Sequence, residues 1–363
     1  MVRFDDAAVL RQDWVSMVYD SFDLVKGLPA QSVRKTYSLL CMLVRNLAEA
    51  CVRGRHLTIP ITACRASRAV RARVIDALYL MGVIDDVKLG YSYPTVDTVD
   101  KEFTKLYPSV KVFDAIDNRA LSVSEKWSVV NRVDGADVPI KARKSEHQFL
   151  VSFAKHSQRR CNIPIHHFRR VFNGGEQFGG RVYSPFQQMP KATREHILID
   201  GEPTIEVDYS ASQIKLAFAL IGAPLTEDPY VGYEVERDVA KKAINIMMNA
   251  RRPLQVFRDS RYSALFGWDA ERAKCFMACV YARYPDFKRL VGVDTGKRLQ
   301  RLEGDITGLL MREFKTMGEV ILPIHDSYIV RRDLKPVLVD AMSTMWENVV
   351  SVERCNFNNE RLL

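Results

Sequence analysis

Thr204-Ile205-Glu206-Val207-Asp208-Tyr209-Ser210-Ala211-Ser212-Gln213-Ile214-Lys215-Leu216 is the stretch on which the fold turns. Ile205 and Val207 alternate with Glu206 at the period of a strand, and the run from Gln213 to Ile221 is apolar enough for a buried helix. Asp208 therefore falls where a strand ends and a helix is about to start. A carboxylate at the carboxyl end of a strand stands on a rigid base and can hold a cation. A lone Asp at that place can equally cap the helix that follows.

Far downstream, Glu319-Val320-Ile321-Leu322-Pro323-Ile324-His325-Asp326-Ser327-Tyr328-Ile329-Val330 reads as two short strands with the polar turn His325-Asp326-Ser327 at the tip. A hairpin that presents Asp326 beside a strand-end Asp208 supplies the minimum for clamping two divalent cations. Paired ions about 3.5–4 Å apart activate an attacking hydroxyl and stabilise a leaving pyrophosphate.

At these residues the chain resembles a family. Asp208-Tyr209-Ser210 resembles motif A, and His325-Asp326-Ser327 motif C, of the family A (DNA polymerase I-like) polymerases. The related single-subunit phage and mitochondrial RNA polymerases share both motifs and carry Ser rather than Glu after the His-Asp. Before motif A, Gly179-Gly180-Arg181-Val182-Tyr183-Ser184, Gln187-Gln188-Met189-Pro190 and Arg194 resemble the segment whose Arg contacts the nucleic-acid backbone. Before motif C, Leu299-Gln300-Arg301-Leu302-Glu303-Gly304-Asp305-Ile306 is similar to the helix that leads into the motif C hairpin. Arg237 and Lys241, at i and i+4 on one helix face, resemble the Arg-x-x-x-Lys of the fingers helix, motif B. Lys242-Ala243-Ile244-Asn245 matches that pattern too, so Lys241 and Lys242 both stay candidates. The aromatic and Tyr-Gly residues that follow in the family are replaced around Asn245, Asn249 and Ala250.

The resemblance covers residues 172 to 335. It implies an α+β fold: a right-hand polymerase palm, an antiparallel sheet with helices, carrying reduced fingers. It implies transfer of a nucleotidyl group to a 3′ hydroxyl. Proofreading is not expected, because the N-terminal 150 residues, outside the resemblance, are too short for an exonuclease in addition to a thumb and lack an Asp-x-Glu at their start. Asp208 and Asp326 would be catalytic and hold two Mg²⁺ (or Mn²⁺), with the Tyr209 carbonyl as a further ligand. Arg237 and Lys241 or Lys242 would neutralise the triphosphate. Arg169, Arg170, Arg181, Gln188, Arg194, Gln300 and His325 would meet nucleic acid, with primer–template DNA the expected partner beside the nucleoside triphosphates. Gln213, five residues after Asp208, stands where DNA-making members crowd the 2′ position with Glu. Its bulk favours dNTPs, its amide can donate to a 2′ hydroxyl, and Ser327 points toward RNA synthesis.

Composition bounds the rest. A chain of 363 residues with 47% apolar content buries a sizeable core and allows two or three domains. No apolar run reaches the ~18 residues of a membrane span, so no membrane partner is expected. The first residues, Met1-Val2-Arg3-Phe4-Asp5-Asp6, hold no signal-peptide core, so a cytoplasmic location is expected. Seven cysteines without a Cys-x-x-Cys pair read as buried, reduced thiols. Of the net charge of +9, residues 141–200 carry +7, eleven Lys/Arg against four Asp/Glu. That concentration suits a polyphosphate backbone.

Ser32 to Glu49, Val70 to Leu80, Ala270 to Leu290, Lys297 to Met317 and Pro336 to Val349 have the spacing of helices. Helix, helix, Gly82 and the Gly90-Tyr91 turn resemble a winged helix-turn-helix, with Arg68, Arg71 and Arg73 near its second helix. Residues 92–140 read as a linker with short strands. The domains expected are a helical, winged-helix-like unit over 1–115, a basic thumb-like connector over 116–175, and a palm over 176–363 with fingers inserted at about 222–297. Three rivals share the residues: a primase-like or RNA-synthesising enzyme, a template-independent nucleotidyltransferase, and, in another class, an inactive nucleic-acid-binding regulator.

Overall fold

Alternation at Ile205 and Val207 builds the strand Glu202–Asp208, which lies inside a four-stranded antiparallel sheet. Its neighbours are Leu198–Ile199 on one side and Ser327–Arg331 on the other, with Leu322–Ile324 at the edge. The computed structural model describes residues 10–22, 24, 29–59, 68–88, 104–118, 122–223, 225, 227–257, 259 and 268–359. The Gly90-Tyr91 turn and residues 92–103 lie outside them, as do Arg258 and Arg261, which the sequence offers with Arg251 and Arg252 as contacts for template or nucleotide. The architecture is mixed α+β with mainly antiparallel sheets.

His325 and Asp326 form the two-residue turn between the strands Leu322–Ile324 and Ser327–Arg331, closed by the pair Ile324 and Ser327. Such a turn needs a positive φ at its first central residue, and His325 adopts φ +58°. Asp208 leads into the helix Ser212–Ile221 through Ala211, also in the left-handed region at φ +55°. The helix is buried along Ile214, Leu216, Ala217, Phe218 and Leu220, and ends at Gly222, φ +68°, whose N–H returns to the Ala219 carbonyl.

The helix Thr295–Thr316 is the spine behind this sheet. Leu299, Leu302, Ile306, Leu310 and Phe314 recur every three or four residues and are all buried. Gly304 lets the helix touch the strand Gly179–Tyr183 backbone to backbone, since a Cβ there would lie 1.9 Å from the Gly180 carbonyl oxygen. That strand closes a second sheet of order Ala136–Pro139, Val129–Val133, Arg169–Asn173, Gly179–Tyr183, in which the middle pair is parallel. The expected connector and the first strand of the expected palm thus share one sheet. At the N-terminus, the helices Ala30–Val52 and Arg68–Leu80 accompany a sheet of order Leu57–Ile59, Thr104–Pro108, Ile84–Lys88. This unit meets the rest where His166 Nε2 lies 3.1 Å from Glu49.

Three details differ from the expectation. The helix expected over 270–290 stops at Arg283, because Pro285 offers no N–H, and a 3₁₀ segment Pro285–Leu290 follows. The last helix runs Lys335–Asn359, well beyond Val349, with neither Gly nor Pro after Pro336 to break it. Cys275 and Cys279 are exposed rather than buried, because they fall on the outer face of the helix Ala270–Arg283. Among the described residues no helix is long and apolar enough to cross a membrane.

Candidate active site

Register brings the two carboxylates together. Ser327 stands opposite Asp208 across the two strands, and the Tyr209 N–H donates to the Asp326 carbonyl at 3.2 Å. Asp208 and Asp326 therefore sit side by side at the ends of strands about 4.8 Å apart. Burial raises the Asp208 carboxyl above its ordinary range, and the charges of Asp326 and then Glu206 raise it further. The ammonium groups of Lys241 and Lys191 oppose them. Glu206 shares Asp208's face of the strand, two residues back. It accepts from Arg194 Nε at 2.9 Å and Nη2 at 2.8 Å, and from Ser327 Oγ at 2.8 Å. Burial works against its charge, but these donors outweigh burial and hold its carboxyl below the usual range.

The residues expected to bind nucleotide divide. Lys241 acts on Asp208 from the helix Arg237–Asn249; Lys242 is the next residue round that helix, and both are exposed. Arg237 is half exposed, bonded to Asp228 at 2.8 Å and lying 5.5 Å from the Tyr230 ring centre. Gln213 is half-buried in the first turn of its helix. Tyr209 turns its ring away from Asp208, and its hydroxyl donates to the Met342 carbonyl at 2.6 Å. A cavity of about 580 Å³ opens beside Asp208, lined by Tyr209, Ser210, Lys215, Phe218 and Trp346 among others.

Most residues expected to meet nucleic acid have donors already engaged by the protein. Arg170 is 5% exposed and bonds Glu146, Asp305 and the Gly180 carbonyl. Arg169 pairs with Asp137 at 2.9 Å. Arg194 spans Glu206 and the Met189 carbonyl. Gln188 is exposed, and its carbonyl lies against Gly54 of the N-terminal unit. Gln300 is half-buried on the spine helix. His325 packs edge-on against Tyr183, with ring centres 5.9 Å apart, and its Nδ1 is buried without a partner among the described residues. Burial, then the charge of Arg181, lowers its pKa, so the ring is neutral at pH 7.

Arg181 donates through Nε at 2.7 Å, and through Nη2, to Glu303. Glu303 is the residue that sequence reasoning missed. It is only 3% exposed and also accepts from Ser212 Oγ at 3.3 Å. Burial raises its carboxyl, Arg181 pulls it down, and the charge of Asp326 pushes it up again. A signal was present: Glu303 lies four residues after Leu299 and three before Ile306, a carboxylate on an apolar stripe.

Among the described residues no three or more Asp, Glu, His or Cys side chains form a group able to hold a metal ion. The Asp208–Asp326 pair still fits a divalent cation, because mutual repulsion and burial disfavour the charge on Asp208 and a cation relieves both. Magnesium takes one or two carboxylates and completes its octahedron with water and substrate phosphates, so a pair suffices. No protein-family model matches the chain, and no curated protein matches it either, so the functional reading rests on these residues and their placement.

Proposed function

We propose that the chain is a template-directed nucleotidyltransferase, a DNA polymerase of the family A kind without proofreading, that extends a 3′ hydroxyl. The observation that carries the reading is the meeting of Asp208, at the end of one strand, with Asp326, in the turn that opens the neighbouring strand, and the ammonium of Lys241 acting on Asp208. Two carboxylates 118 positions apart in sequence, at the ends of neighbouring strands, hold a rigid place for Mg²⁺ or Mn²⁺. Such ions, when bound, lower the pKa of the attacking hydroxyl and stabilise charge on the leaving pyrophosphate. Asp208, Asp326 and the Tyr209 carbonyl would hold them. Lys241 supplies a point charge for the triphosphate, and Arg237, now paired with the exposed Asp228, becomes a second one if that surface pair opens. Ser327, bonded to Glu206, leaves no third acid after His325-Asp326, the arrangement shared with RNA-making relatives.

The test is incubation of the purified protein with labelled primer–template, dNTPs or NTPs, and Mg²⁺ or Mn²⁺. Extension by the wild type is expected, with none by Asp208→Asn or Asp326→Asn, while both variants still bind the nucleic acid. Normal extension by either variant overturns the reading. Extension with NTPs alone selects the RNA-synthesising alternative, and extension without template the template-independent one. Binding with no extension under any condition selects the inactive regulator.

A further inference from the structure

We infer that Glu303 is a positioning residue: it fixes the Arg181 guanidinium beside the His325-Asp326 turn, where the free side of that guanidinium takes a phosphodiester oxygen of the nucleic acid. The inference rests on the nucleotidyl-transfer reading and assigns a task to a residue outside the carboxylate pair.

Three remote segments meet at this one carboxylate. Arg181 comes from the strand Gly179–Tyr183, Ser212 opens the helix after Asp208, and Glu303 lies midway along the spine helix. The Gly304–Gly180 backbone contact brings the helix close enough for Glu303 to reach Arg181. The pair stands next to the reacting centre, since the charge of Asp326 acts on Glu303 and that of Arg181 acts on His325.

The hydrogen bonds show which half of Arg181 is taken. Nε and Nη2 both donate to Glu303 Oε2, whereas Nη1 has no protein acceptor among the described residues. The side chain keeps 18% of its surface exposed. A guanidinium anchored along one edge presents its remaining donors in a fixed direction, which suits a phosphate oxygen. Stability does not account for the pair, because a buried ion pair is often no better than apolar residues of the same size.

A double-mutant cycle tests this with the full chain: wild type, Glu303→Gln, Arg181→Ala, and both together. Binding of a fluorescent primer–template without nucleotide is measured across salt concentrations, and single-nucleotide incorporation is measured separately. Glu303→Gln keeps the size and the acceptor oxygen but removes the charge. Arg181 then counts as one more uncompensated cation, so the slope of log K against log salt steepens by about 0.9. Incorporation falls by about 10- to 100-fold, as expected when a contact group loses its aim. In the Arg181→Ala background the same change has no further effect on incorporation.

Arg181→Lys, which keeps the charge but not the fork, is the second probe. It should keep the wild-type slope, because Glu303 still compensates the charge, and lose incorporation. Melting temperatures identify any variant that fails to fold, and Arg181→Lys leaves the buried Glu303 with a cationic partner. Full incorporation by Glu303→Gln overturns the inference, as does an equal loss with and without Arg181. A wild type that extends nothing defeats the nucleotidyl-transfer reading instead. In that case the slope alone decides whether Glu303 restrains a nucleic-acid-binding Arg181, and an unchanged slope overturns it.

Discussion

Asp208 is held in a place that disfavours its own charge. Its carboxyl is raised by burial, then by Asp326 and Glu206, so the folded chain binds that proton more tightly than the unfolded chain does. The group therefore favours folding at low pH. That contribution is lost as pH rises from the ordinary Asp range through the raised folded value, and above it the ionised group is a penalty. Asp208→Asn should remove the penalty and raise the melting temperature at pH 7 by about 1–2 °C, small because the group is partly solvated. The difference from wild type should vanish below the unfolded Asp pKa. Added Mg²⁺ should raise the wild-type melting temperature more than that of Asp208→Asn. Scanning calorimetry at pH 7 and pH 3, with and without Mg²⁺, checks both, and a variant that melts lower at pH 7 contradicts this account.

Among the elements, the spine helix contains its own control. A Cβ at Gly304 would lie 1.9 Å from the Gly180 carbonyl oxygen, whereas one at Gly308, a turn further along, meets nothing within 4 Å. Gly304→Ala should push the helix off the strand Gly179–Tyr183, costing about 1–3 kcal/mol and pulling Glu303 away from Arg181. Gly308→Ala adds a methyl in open space and removes a flexible residue from a helix, so it should stabilise by roughly 0.5–1 kcal/mol. Urea unfolding of both variants is the measurement, and equal effects of the two would mean that the close contact carries no weight. His325 is, like Ala211, a left-handed residue; it fixes the hairpin and sets Asp326 beside Asp208.

At the scale of the molecule, the basic segment is less free than its sequence implies. Of the eleven Lys/Arg in 141–200, seven form ion pairs: Arg143, Lys155, Arg160, Arg169, Arg170, Arg181 and Arg194. Lys141, Lys144, Arg159 and Lys191 have no ion-pair partner among the described residues. Lys191 is the one whose charge reaches Glu206 and Asp208. Only unpaired cations release counterions in full when they meet phosphate, so Lys191→Ala should flatten the salt slope of nucleic-acid binding by about 0.9. Arg169→Ala, which removes a cation already matched by Asp137, should flatten it by much less. Binding titrations of both variants across salt concentrations distinguish them, and equal slopes would return the segment to a uniform basic track.

Local pattern was enough to identify the strand that ends at Asp208, the turn at His325-Asp326 and the cores of most helices. Each follows from a backbone period or turn chemistry that spans only a few residues. Pro285 was a local signal as well, and it ended a helix that apolar spacing alone would have continued. Which charges meet was settled only by the tertiary structure. Arg160 pairs with Glu319 across 159 positions, Arg170 with Asp305 across 135 and Arg181 with Glu303 across 122. The Arg181–Glu303 pairing depends on the closeness of approach that Gly180 and Gly304 allow, which has no local period. The sequence by itself determined the carboxylates and the elements that bear them. Tertiary packing decided that Asp208 and Asp326 would be neighbours, that Glu303 would stand beside them, and that most of the positive charge of residues 141–200 would be matched within the protein.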